Sequence, residues 1–177
     1  MILSLESLLW TFPVFFMIHE FEEIIMFNPW YIKNATWLEE KHPRLKRIYQ
    51  NAQASPSALS LGIFEEFVII SIITFISVEM KIYALWFGVL IVFFLHLCGH
   101  VGGAILKRGY VPSLFTSIFC IIYTIVIIDQ LLKIIQVDSM EILFWTVISF
   151  IILIIDFPIV TKIIDLFDKW LAKWSMN

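Results

Sequence analysis

The sequence is short of charge. Charged side chains make up 15% of its 177 residues against the ~25% usual in soluble domains, while 60% are hydrophobic and the mean hydropathy is +0.91. That composition leaves too little polar surface for a water-soluble globule and assigns the chain to a membrane. Cysteine is scarce as well: Cys98 and Cys120 both lie inside apolar runs, which excludes a disulfide framework and a thiolate zinc site. No Lys or Arg precedes the first apolar run, so that run is not read as a cleaved signal peptide. Internal repeats and low-complexity segments are absent. A net charge of −3, with its signs segregated along the chain, gives no reason to expect nucleic acid as a partner.

Long apolar runs are what the chain has in quantity. A bilayer core takes ~20 helical residues to cross, and five segments are long enough: about 4–27, 56–78, 82–106, 112–135 and 140–160. The expected fold is all-α, a polytopic membrane helix bundle of five transmembrane helices forming one domain over 1–177. Asn28-Pro29 supplies the stop of the first span, and residues 28–55 form a cytoplasmic loop with a short helix capped by Thr36 and Glu39. Ser55-Pro56 opens the second span. The tail, 162–175, reads as a C-terminal interfacial amphipathic helix with Ile163, Phe167, Trp170, Leu171 and Trp174 on one face. With five spans, Lys33, Lys41, Arg44, Lys46, Arg47, Lys107, Arg108, Lys162, Lys169 and Lys173 share one side and only Lys81 and Lys133 the other. The expected location is therefore the cell membrane, with the N-terminus outside and the C-terminus cytoplasmic. Trp30, Tyr31, Tyr83, Trp86, Tyr110 and Trp145 fall near the interfaces, and membrane lipids are the expected surroundings.

Against this background certain ionisable residues stand where hydropathy forbids them: His19-Glu20-Phe21-Glu22-Glu23, Glu65-Glu66, His96, His100 and Asp156. Each ionised group at membrane depth costs on the order of 2.5–3.5 kcal/mol. At ~1.5 Å rise per residue all of them fall in one layer, roughly 6–15 Å from the expected cytoplasmic ends. At ~100° per residue, His19, Glu20, Glu22 and Glu23 share one face of the first span, and His96 and His100 share a face of the third. Gly99 and Gly103 fall beside these histidines, where a small-xxx-small seam predicts close approach of another helix. Cys98 points away.

The first three apolar runs contain no Lys or Arg to neutralise the glutamates. Protonation, hydrogen bonding to the histidines, or a bound cation remain as solutions, and the mixed imidazole and carboxylate set favours a divalent metal. Zinc is the first expectation, with iron or manganese next. His19, Glu23, His96 and His100 are the expected ligands, Glu65 and Glu66 further ligands or their supports, and Glu22 the general base toward a metal-bound water. Glu20 has two directions open to it, into the site or out to the interface. Asp156, two residues before Pro158, is expected to pair with backbone groups that the proline frees. His19-Glu20-Phe21-Glu22-Glu23 resembles the namesake motif of the HXXEE family of small integral membrane proteins. The resemblance implies that His19, Glu22 and Glu23 belong to that family's defining site, and it supplies no reaction. The expected activity is a metal-dependent hydrolase acting on a lipid or another membrane-associated small molecule. A metal or proton transporter, a di-iron oxidoreductase and a non-enzymatic adaptor are the alternatives.

Overall fold

A computed structural model describes residues 4–43 and 55–176. The described residues form helices only: α1 (Leu5–Leu9), α2 (Thr11–Lys41), α3 (Pro56–Glu79), α4 (Tyr83–Lys107), α5 (Leu114–Leu132) and α6 (Ser139–Trp174). Local chemistry sets many of the ends. Ser4 accepts from the Ser7 N–H at the start of α1, Ser55 from Ala58 before Pro56 in α3, and Asp138 from Glu141 in α6. Arg108, in the left-handed region at φ 55°, stops α4.

Four helices, α3 to α6, are long and apolar enough to cross a membrane; the first expected span is not among them. Its residues divide at Trp10 into α1 and α2, and Glu20, Glu22 and Glu23 lie in the middle of the apolar stretch of α2. Placing the N-terminus opposite the C-terminus depended on that fifth crossing and loses its basis. The expected stop at Asn28-Pro29 is also overturned. α2 runs through Pro29 to Lys41, so Thr36 sits inside a helix instead of capping one. A proline forfeits one N–H, here the bond to the Ile25 carbonyl, and clashes with the preceding turn. Packing offsets that cost: Phe27, Trp30, Tyr31 and Leu38 form a second apolar cluster, and Trp30 Nε1 donates to the Tyr110 carbonyl at 2.8 Å. The rest of the expected loop, residues 44–54, lies outside the described residues.

α6 passes its own Pro158 in the same way. The tail expected to lie apart at 162–175 is the continuation of the last span, a 36-residue helix some 54 Å long. On it Phe167, Trp170 and Trp174 stack in sequence, the two tryptophans exposed.

α2, α4 and α5 meet in the principal core, where Phe12, Phe16, Trp86, Phe93, Leu97 and Cys120 are buried. Trp86, expected at an interface, is fully buried and meets Phe12 edge-on at 5.6 Å. α6 covers α3 and α4, and glycines set how closely it comes. A Cβ on Gly88 would lie 2.6 Å from the Trp145 backbone, and one on Gly62 would lie 2.7 Å from Ile164. The seam expected at Gly99 and Gly103 is not found: neither has any atom within 4 Å of a Cβ, because both line a cavity.

Candidate metal centre

Three imidazoles converge where α2 passes α4. His96 Nε2 lies 3.2 Å from His19 Nε2 and 3.0 Å from His100 Nε2. The i, i+4 spacing of His96 and His100 puts both rings on one side of α4, and His19 on α2 faces them edge-on. Glu23, one turn beyond His19, brings Oε2 to 3.6 Å from His100 Nε2. One donor atom from each of His19, Glu23, His96 and His100 lies within 4.8 Å of all the others.

The outer nitrogens fix which atoms point inward. His100 Nδ1 lies 2.9 Å from the Pro112 carbonyl, which can only accept, so Nδ1 carries the proton and Nε2 presents a lone pair. Thr116 Oγ1 donates to Glu22 Oε2 at 2.7 Å, which leaves it an acceptor toward His19 Nδ1 at 3.4 Å. His19 Nε2 is then a lone pair too. One proton on His96 Nε2 can satisfy only one of its two neighbours, so electron-rich nitrogens face one another at hydrogen-bond distance. An ion at the centre resolves that conflict, and an N–H turned back to a carbonyl or hydroxyl is how metal-bound histidines are oriented.

The connection between α4 and α5 builds this framework. Ser113 takes the left-handed conformation at φ 62° and gives α5 no side-chain cap. Glu22 from α2 supplies the missing acceptor, taking the Thr116 N–H at 2.8 Å while Tyr110 donates to its other oxygen at 2.8 Å. Burial, and next the bond to Glu22, raise the Tyr110 phenol above its ordinary range, which keeps it a donor. Ser113 Oγ donates to Glu23 Oε2 at 3.4 Å. Both motif glutamates thus tie α2 to the start of α5.

The remaining sequence candidates fall outside the donor group of four. Glu22 has both oxygens engaged by Tyr110 and Thr116. Glu66 lies within electrostatic range of Glu23, Glu65 and Asp156, next to the centre on the α3 side. Glu65 neighbours Asp156 on α6, and its Oε2 is buried without a hydrogen bond among the described residues. Asp156 has no side-chain hydrogen bond among the described residues, to backbone or otherwise; it faces these acids instead. Sequence reasoning missed the roles of Thr116 and Ser113, and that of Tyr110, which read as an interface aromatic. It also left Glu20 undecided, and the structure buries it.

A cavity of about 280 Å³ adjoins the donors, lined by Glu23, His96, His100 and Phe27 with Gly99 and Gly103. His96 and Gly99 are exposed along it. Among the described residues, the fold and site together define an all-helical protein with four helices long and apolar enough to cross a membrane and a His/Glu group that could hold a metal. The chain belongs to the family described as protein of unknown function with HXXEE motif, whose model matches residues 10–127, about two thirds of the length. The match takes in the motif, both α4 histidines and the start of α5, and ends before α6. Comparison with curated proteins and with solved structures gives no match.

Proposed function

We propose that the protein is a metal-dependent membrane enzyme that hydrolyses a lipid or another membrane-associated substrate. The supporting observation is the convergence of three imidazole Nε2 atoms within 3.2 Å of their neighbours, two of them with their protons fixed on the opposite nitrogen. A divalent ion held there by His19, His96, His100 and Glu23 would lower the pKa of a bound water toward ~7. The adjoining cavity lies on the exposed edge of His96, which gives substrate a side from which to approach. Glu22, with both oxygens engaged, holds Thr116 and through it the His19 ring. Its role in this reading is positioning.

The distribution of basic residues supports an orientation in which the α4–α5 connection and the end of α6 are cytoplasmic. Lys107, Arg108, Lys162, Lys169 and Lys173 then face one side, and Lys81 and Lys133 the other. Protein purified under metal-sparing conditions is expected to carry near-stoichiometric metal by elemental analysis, and His19→Ala, His96→Ala and Glu23→Ala to lose it. Well-folded wild type with no metal overturns the reading. Candidate lipids in vesicles are then assayed with and without chelator. The acids Glu66, Glu65 and Asp156, leading from the centre toward α6, favour cation passage as a second reading, and metal flux into liposomes without lipid turnover would select it.

A further inference from the structure

The face of α4 that carries His96 and His100 continues through Gly103 to Lys107, and the face of α2 that carries Glu23 continues through Phe27 to Trp30 and Trp37. The two faces run in the same direction and in step. His96 meets His19, His100 meets Glu23, and Gly103 and Phe27 line the cavity of about 280 Å³ between the helices. One turn beyond Gly103, Lys107 reaches across to α2, with Nζ 5.6 Å from the Trp30 ring and 5.5 Å from the Trp37 ring. It has no carboxylate partner and donates no hydrogen bond among the described residues. Aromatic faces hold an ammonium in place without cancelling its charge. A fixed cation without an anion therefore stands at the edge of the cavity that serves the metal centre.

We infer that the substrate is a phospholipid whose headgroup phosphate is bound by Lys107, with the rest of the molecule running along Gly99 and Gly103 toward the His/Glu donors. The inference rests on the membrane-enzyme reading above and gives its substrate a class. Depth argues for a headgroup at this point: the 25 residues of α4 span ~37 Å, more than the ~30 Å of a hydrocarbon core, so the last turn reaches the level of lipid phosphates. A lysine is a compact point charge suited to phosphate, and the two rings hold it ready. Below it the cavity is walled by Phe27, Val111 and the bare backbone of Gly99 and Gly103, where no atom lies within 4 Å of a Cβ. Leu95 beside His96 is 50% exposed and Leu106 beside Lys107 is 81% exposed, so apolar surface borders the opening and faces acyl chains in a bilayer. A cation at one end, an apolar wall and the metal donors at the other end match the order of parts in a phospholipid.

The test uses the full chain in an uncharged detergent, with metal content measured in parallel. Equilibrium dialysis compares three probes: dihexanoyl phosphatidic acid, dihexanoylglycerol, which lacks the phosphate, and inorganic phosphate. Wild type is expected to bind the phosphatidic acid about tenfold or more tighter than the diacylglycerol. Lys107→Met keeps the apolar stem and is expected to reduce that preference to about twofold or less, while Lys107→Arg keeps most of it and both variants keep the wild-type metal content. An unchanged preference in Lys107→Met overturns the inference and leaves the metal reading standing. A lower unfolding midpoint with the preference intact does the same, since it confines Lys107 to joining α2 and α4. Inorganic phosphate bound as tightly as the phosphatidic acid overturns the assignment to a lipid. Wild type without metal overturns the metal reading by itself, while the preference and its loss in Lys107→Met still decide the phosphate site. Should Lys107→Met fail to fold, Trp37→Leu removes one of the rings that hold the ammonium; a preference lowered about threefold supports the inference, and an unchanged one sinks it.

Discussion

Two groups of polar residues lie inside this bundle and differ in one respect. Where α2, α4 and α5 meet, His19, His100 and Glu22 each have an outer partner: Thr116 for His19, the Pro112 carbonyl for His100, Tyr110 and Thr116 for Glu22. Where α3 meets α6, Glu65 has a buried oxygen without a hydrogen bond, and Asp156 brings only further negative charge. Both groups are costly at membrane depth. The first is organised into donors that point at a common centre, and the second is not. Buried ionisable residues therefore do not make a site by being present. The outer hydrogen bonds that choose a tautomer and hold a ring make the difference.

The strongest way to break this contrast is to remove its central ring. His96→Ala is expected to bring bound metal to background, while Glu65→Gln with Asp156→Asn leaves near-stoichiometric metal; elemental analysis of the two proteins side by side checks it. Next in size is the outer partner. Thr116→Val keeps shape and removes the hydroxyl between Glu22 and His19, and metal affinity is expected to fall about tenfold or more, read by chelator competition. A third comparison separates glycines that pack from those that line space. Gly88→Ala forces a methyl against the Trp145 backbone and is expected to destabilise the fold by about 1–3 kcal/mol, seen as a lower unfolding midpoint in detergent. Gly99→Ala meets no atom and leaves that midpoint unchanged. The smallest effect expected is that of Tyr110→Phe. Glu22 keeps its two bonds from Thr116, so metal affinity measured by the same competition drops less than in Thr116→Val.

Much of the site was legible in the sequence because the underlying rules are local. His96 and His100 share a face by helical periodicity alone, and so do His19 and Glu23. What the sequence left open turned on competition between distant parts. Pro29 read as a helix end and the tail as a separate helix, yet α2 runs through Pro29, held by the Trp30–Tyr110 bond and the second apolar cluster, and α6 continues past Pro158 into the tail. Gly99 and Gly103 carry the pattern of a packing seam, but the close approaches occur at Gly62 and Gly88, which the same pattern did not single out. The orientation of Glu20 was undecidable from angle alone, since its neighbours on α3 and α5 determine whether it faces protein or lipid.

Composition and periodicity by themselves determined that the chain is helical and membrane-bound and that its histidines and glutamates gather on two helix faces, because hydropathy and the helical repeat depend only on residue order. The tertiary structure decided that those faces meet, that Thr116 and Pro112 turn the imidazole lone pairs inward, and that α2 is not an ordinary span. Tautomers, tethers and close approaches are set by atoms that come from different helices, and their distances exist only once the helices are packed.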